Sequence, residues 1–200
     1  SYDERIGSKF LNAGVGYGGS CFPKDTKALL YLAKQHGYEL RTVKAAIDVN
    51  KDQKTILYRK ASKRLITFNG LKVAVLGLTF KPGTDDLREA PSLDNIPLLL
   101  EQGANVYAYD PVGMDNFRKI YPEGPCKNGT IRCVDKIEDA LKDANVCFIF
   151  TEWNEIKSVK PEVYKKLMRT PLVYDGRNIY KPQDMKAAGV EYYSIGRPSC

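Results

Sequence analysis

Two hundred residues provide for one large domain or two small ones, and 28% charged residues with no apolar run near the roughly 20 a bilayer span needs argue against a membrane protein. The net charge of +7 comes from Lys and Arg that alternate with Asp and Glu, without the basic block and interleaved aromatics of a nucleic-acid binder. It therefore suits small polyanionic ligands, with neither nucleic acid nor membrane as partner.

Positions 1 to about 20 read as a glycine-rich polar loop whose cations are Arg5 and Lys9. Its end is the densest motif of the chain, Gly14-Val15-Gly16-Tyr17-Gly18-Gly19-Ser20-Cys21-Phe22-Pro23-Lys24-Asp25-Thr26. The glycines allow positive φ and a close approach of backbone to a ligand. Pro23 suits the first position of a helix and Asp25 its first turn, where a carboxylate meets the positive end of the dipole. Cys21 is then expected just before a helix N-terminus with Lys24 about one turn away, and both features favour the thiolate nucleophile. The glycines are not a dinucleotide fingerprint, because no β-branched strand precedes them.

The helix that follows is predicted over 23–36, with Leu29, Leu32 and Ala33 toward a core, His36 at its end and Gly37 as its stop. A longer helix is predicted over 42–66. Its stripe of Ala46, Ile47, Asn50, Lys54, Leu57, Ala61 and Leu65 includes polar residues and is not a uniform core face. Phe68-Asn69-Gly70 is a turn signal. From Leu71 the pattern changes to short β-branched apolar runs at 72–77, 105–111, 145–150, 171–175 and 190–193. These alternate with helical segments at 92–102, 136–142, 161–168 and 182–187. The alternation predicts an α/β fold, in which a helical segment (1–69) precedes a Rossmann-like, doubly wound parallel sheet (70–200).

Ligands of such sheets bind outside the carboxyl ends of the strands. Phe80 and Lys81 follow the first strand, in a turn that departs from the NAD fingerprint, and Arg177 follows the strand ending at Asp175. A guanidinium there suits phosphate or ribose. Asp110, after the second strand, has the position of a ribose-binding acid, although a structural role is preferred for it. Trp153 reads as packing near a cleft. Five cysteines in no zinc spacing and one isolated histidine leave metal chemistry without ligands, and the thiols point to a reducing, cytoplasmic setting.

The Cys21 motif, extended upstream through Arg5-Ile6-Gly7 and Lys9-Phe10-Leu11-Asn12-Ala13, resembles the catalytic-cysteine signature of the UDP-glucose 6-dehydrogenase family. A second signature, Gly77-Leu78-Thr79-Phe80-Lys81-Pro82-Gly83-Thr84-Asp85-Asp86-Leu87-Arg88-Glu89, agrees with it. The resemblance covers essentially the whole chain. It implies NAD-dependent oxidation of a sugar-nucleotide alcohol to a carboxylate in two hydride transfers. Cys21 would form a thiohemiacetal and then a thioester, Asp25 would orient the hydrolytic water, and Lys24 would tune the thiol or meet the cofactor. It also implies substrate contacts from Arg5, through a neighbouring subunit, and from Phe10, Leu11, Asn12, Gly16, Phe80, Lys81 and Arg177. Arg88 would reach the cofactor, and the long helix would form a homodimer. The family's amino-terminal NAD-binding domain has no counterpart here, so the chain is read as part of a longer protein and by itself is expected not to turn over. Ser20 before Cys21, with Pro23-Lys24-Asp25 after it, favours UDP-glucose. The alternatives are GDP-mannose, a UDP-N-acetylhexosamine, or a non-catalytic nucleotide-sugar-binding dimerisation module.

Overall fold

The computed structural model describes residues 1–8 and 11–200, so Lys9 and the expected substrate residue Phe10 lie outside the described residues. The first helix, α1 (Phe22–Gln35), begins one residue before Pro23, which sits in its first turn, and His36 caps it. The second helical stretch is two helices, α2 (Arg41–Lys54) and α3 (Ile56–Arg64), rather than the single helix expected over 42–66. At the break, Thr55, carbonyls of the last turn of α2 are drawn to side-chain donors, one of them from a later helix. Asn95 Nδ2 donates to the Lys54 carbonyl at 2.8 Å, and Thr55 Oγ1 and the Arg59 guanidinium both donate to that of Asp52.

The remaining chain forms a seven-stranded sheet in the order β3-β4-β2-β1-β5-β6-β7. Its strands are β1 (Lys72–Leu76), β2 (Asn105–Tyr109), β3 (Gly124–Cys126), β4 (Gly129–Cys133), β5 (Val146–Ile149), β6 (Leu172–Asp175) and β7 (Glu191–Tyr193). All neighbours are parallel except the β3–β4 hairpin. That hairpin is absent from the sequence reading because its strands are short and polar, and Pro125 sits on the sheet edge, where it is tolerated. Helices α4 (Pro91–Glu101), α5 (Met114–Ile120), α6 (Ile137–Leu141), α7 (Asn154–Lys157), α8 (Pro161–Leu167) and α9 (Pro182–Ala187) lie between strands.

Strand side chains alternate between two cores, as the two-residue period requires. Val73, Val75, Phe148, Phe150 and Tyr174 join Ile96, Leu99 and Phe117 of α4 and α5 on one face. Ala74, Leu76, Cys147, Ile149 and Val173 join Leu141, Ile156, Tyr164 and Met185 of α6 to α9 on the other. Leu57 and Ala61 of α3, and Val15 of the glycine loop, belong to the first core. The amino-terminal segment is thereby seated on the sheet. α1 is different. Leu29 and Leu32 are half exposed and Ala33 is only partly covered, against the expectation that they face a core, because α1 packs on α2 and its outer face meets nothing else among the described residues.

The strand order reverses at β1, with β2 on one side and β5 on the other. The carboxyl ends of β1 and β5 therefore frame the crevice where open α/β sheets bind ligands.

Candidate functional site

A cleft of about 600 Å³ opens at that crevice, lined by Asn12, the 14–22 loop, Phe80, Lys81, Glu152 and Arg177. Each element supplies one wall because of where the chain leaves a strand. Phe80 and Lys81 come after β1, Glu152 after β5 and Arg177 after β6.

Arg177 is the keystone of the floor. Its Nε donates to the Phe150 carbonyl at 2.8 Å, one terminal nitrogen to that of Gly16 at 3.3 Å and the other to that of Phe80 at 3.1 Å. Three of the five N–H donors of a guanidinium are thus used on backbone, joining the glycine loop to two strand ends. Burial lowers the Arg177 pKa, opposed by the charges of Glu152 and Asp175. Glu152 Oε2 lies 3.2 Å from the Arg177 Nε, yet it has no hydrogen-bond partner among the described residues, since that N–H points to Phe150.

Two polar residues of α2, Asn50 in its stripe and Gln53 beside it, have a purpose that hydrophobic periodicity does not reveal. Asn50 Oδ1 accepts from the Tyr17 N–H at 2.8 Å, and its Nδ2 donates to the Tyr17 carbonyl at 3.1 Å. Gln53 Nε2 donates to the Gly14 carbonyl at 2.7 Å. The Val15 N–H donates to the Gly176 carbonyl at 3.0 Å, and the Gly19 N–H to that of Arg88 at 2.8 Å. A loop with almost no side chains is thus fixed through its backbone.

Cys21 occupies the N-cap of α1, exposed on the rim of the cleft. Its carbonyl accepts from the Asp25 N–H at 2.8 Å, and its Sγ is 3.8 Å from Ser20 Oγ. Asp25 lies in the first turn, with Lys24 Nζ 3.1 Å from its Oδ1, both exposed. Arg88 makes a two-pronged contact with Asp86 at 2.8 and 2.9 Å, which raises its pKa. Lys81 Nζ stands 5.4 Å from the centroid of the Phe80 ring.

Asn12, Gly16, Cys21, Phe80, Lys81 and Arg177 therefore meet in one cleft. Arg5 and Leu11 do not line it: Arg5 is exposed and paired with Asp3 at 2.7 Å, and Leu11 is exposed. Arg88 does not line it either, although its carbonyl holds the N–H of the lining residue Gly19. Asp110 is a structural acid. It is 2% exposed and accepts hydrogen bonds from the N–H groups of Leu78, Thr79, Val112 and Gly113, from Thr79 Oγ1 and from Trp153 Nε1. With its lone pairs so engaged it is not a ribose-binding acid, and Trp153 is buried as its partner. The roles of Glu152, Asn50, Gln53 and Glu89 are not legible in the sequence. No local spacing marks them, because each acts on a segment far away in the chain.

No helix of the described residues is long and apolar enough to cross a membrane.

Comparison with known proteins agrees with this geometry. The central domain of the UDP-glucose/GDP-mannose dehydrogenase family matches residues 1–52, and the UDP binding domain of that family matches residues 74–182. The UDP-glucose 6-dehydrogenase YwqF of Bacillus subtilis is 44% identical over 98% of this chain and 43% of its own length. The UDP-glucose 6-dehydrogenase of Rhizobium meliloti is 45% identical over 98% of this chain and 44% of its own. A UDP-glucose dehydrogenase structure from Pyrobaculum islandicum superposes with a TM-score of 0.78 at 34% identity, over 91% of this chain and 39% of that one. The chain thus spans less than half the length of the curated relatives it matches.

Proposed function

This chain belongs to the UDP-glucose/GDP-mannose dehydrogenase family, and we propose that it supplies the substrate site and nucleophile of an NAD-dependent UDP-glucose 6-dehydrogenase. The observation that carries this reading is the position of Cys21. It is an exposed thiol at a helix N-terminus, on the rim of a cleft whose other walls carry Phe80, Lys81 and Arg177. Such a cleft offers an aromatic face to a base or sugar and two cations to a diphosphate.

In this reading residues 1–69 carry the nucleophile and the dimer contact, and 70–200 hold the UDP-sugar. Phe80, Lys81, Arg177 and the backbone around Asn12 and Gly16 bind the nucleotide sugar. Leu11 and Phe10 extend that wall, and Arg5 serves a neighbouring subunit's site. NAD, when bound, supplies the hydride acceptor for two oxidations. Arg88 and Lys24, exposed cations beside Cys21, have the donor chemistry for its phosphates. After the first oxidation gives an aldehyde, the Cys21 thiolate adds to the carbonyl carbon, forming a C–S bond and a thiohemiacetal. The second oxidation converts this adduct to a thioester. Water, oriented by Asp25, cleaves the C–S bond and releases the carboxylate and the thiol. Each sugar nucleotide then consumes two NAD and one water and yields two NADH, a uronate carboxylate and three protons.

In this reading the protein works in the cytoplasm, a reducing setting that suits its free cysteines. Homodimerisation is assigned to the central helices, whose outer faces expose Leu29, Leu32 and Val49.

The test is NADH formed per UDP-glucose consumed by the longer parent protein. Two NADH per sugar, abolished by Cys21→Ser with UDP-glucose binding retained in calorimetry, is the expected result. One NADH per sugar would mean the reaction stops at the aldehyde and would remove Cys21 from its role. Turnover of another sugar nucleotide instead would keep the chemistry and change the substrate. The 200-residue chain alone is expected to bind UDP-glucose and form no NADH.

A further inference from the structure

We infer that Glu89 is a positioning residue for Cys21: by bridging Lys54 of α2 and Lys27 of α1, it clamps the 88–89 connector of the sheet against the loop and helix that carry the thiol. The inference rests on the reading of Cys21 as nucleophile.

The geometry is unusual in three respects. Lys54 is only 5% exposed, and its ammonium lies 2.7 Å from Glu89 Oε2 and 3.5 Å from Asp94 Oδ2. A buried ammonium persists only when paired, so Glu89 is its principal partner. Lys27 Nζ, one and a half turns along α1 from Cys21, lies 2.9 Å from the other oxygen, Glu89 Oε1. One carboxylate therefore ties together two helices and the connector after β1. The two lysines hold its pKa down to about 2.

Glu89 also has φ +54°, a left-handed conformation that a side chain adopts at a cost and keeps only where its surroundings impose it. That conformation has a consequence for the loop. It faces the Glu89 carbonyl toward Gly18, where an added Cβ would stand 2.3 Å from the oxygen. It also leaves the Arg88 carbonyl 2.8 Å from the Gly19 N–H, two residues before Cys21.

α1 itself has little else to orient it. Among the described residues Pro23 is its one buried member, and its outer face is free. The direction of its N-terminus, and hence of Cys21 toward the cleft, is set by the glycine loop, by contact with α2 and by the Lys27–Glu89 pair. Displacement of a nucleophile by an ångström is sufficient to lower a rate by orders of magnitude.

The variants are Glu89→Gln, which keeps size and removes charge, with Lys27→Gln and Lys27→Arg. Lys27 is exposed, so its substitution does not threaten folding and carries the test if Glu89→Gln fails to fold. In the longer enzyme both Gln variants are expected to lower kcat at least about tenfold with KM for UDP-glucose within about twofold. Alkylation of Cys21 by iodoacetamide, followed by peptide mapping, should show an altered rate and pH profile. Lys27→Arg should retain both properties, and the urea midpoint of Lys27→Gln should stay that of the parent. Lys27→Gln with parental kcat and Cys21 alkylation would overturn the clamp. Cys21→Ser that still releases two NADH would instead overturn the nucleophile reading, independently of Glu89.

Discussion

Gly19 shows how much of this site depends on single atoms. Its φ is +81°, and a Cβ there would lie 2.7 Å from two carbons of the Phe80 ring. Left-handed backbone costs a side chain about 1–2 kcal/mol, and forcing a packed aromatic aside costs about 1–3 kcal/mol more. Gly19→Ala is accordingly expected to lose about 2–5 kcal/mol in urea unfolding. Part of that loss should return in the double variant with Phe80→Ala, because the ring clash is then removed and the φ penalty remains. Equal losses in single and double variants would show that the ring is not the obstacle. The motif's glycines read in sequence as room for a ligand, whereas Gly18 and Gly19 make room for the protein's own Glu89 carbonyl and Phe80 ring. Composition reports that backbone must approach something closely. It does not say what.

At the level of elements, α2 is a polar clamp with a helical period. Asn50, Gln53 and Lys54 each bind a segment from elsewhere in the chain, and the bonds of Asn50 and Lys54 account for the polar residues that interrupt an otherwise apolar stripe. The Lys54–Glu89–Lys27 bridge gives this element a pH signature. The Glu89 carboxyl sits at about 2 in the folded protein against an ordinary 4.5. A lowered folded pKa means that the bridge contributes fully above about pH 4.5 and is lost as pH falls toward about 2. Asp94 works in the opposite direction, since burial raises its pKa and its cost is relieved by protonation. Urea midpoints of the parent and Glu89→Gln should differ at neutral pH and converge between about pH 4.5 and about 2. A constant difference through that range would mean the Glu89 charge is not what the lysines hold.

For the whole molecule, the cleft belongs to neither half alone. Its floor is the carboxyl edge of the sheet, and its rim is the start of α1, joined through Arg177, Asn50 and Glu89. The outer faces of α1 and α2 remain apolar and exposed at Leu29, Leu32 and Val49. If the central helices form the proposed dimer, Val49→Glu should shift sedimentation equilibrium toward monomer. Being a surface change, it should move the unfolding free energy of the monomer by no more than about 0.5 kcal/mol. An unchanged dimer would place the contact elsewhere.

By itself the sequence determined the alternation of strands and helices, a helix whose first turn holds Pro23, the cysteine placed just before it, and the gathering of Phe80, Lys81 and Arg177 at strand ends. These are local properties: backbone freedom, capping chemistry and a two-residue period are written in neighbouring residues. Only the tertiary structure decided the break of the long helix at Thr55, the solvent exposure of Leu29 and Leu32, the saturation of Asp110, and the joining of Glu89 to Lys27 and Lys54. Asn95 at the helix break, Leu78, Thr79 and Trp153 around Asp110, and Lys27 and Lys54 on Glu89 are all distant partners in the chain, while Leu29 and Leu32 lie on a face that no other described residue covers. Such pairings follow from how the sheet and helices pack, and no spacing along the chain encodes them.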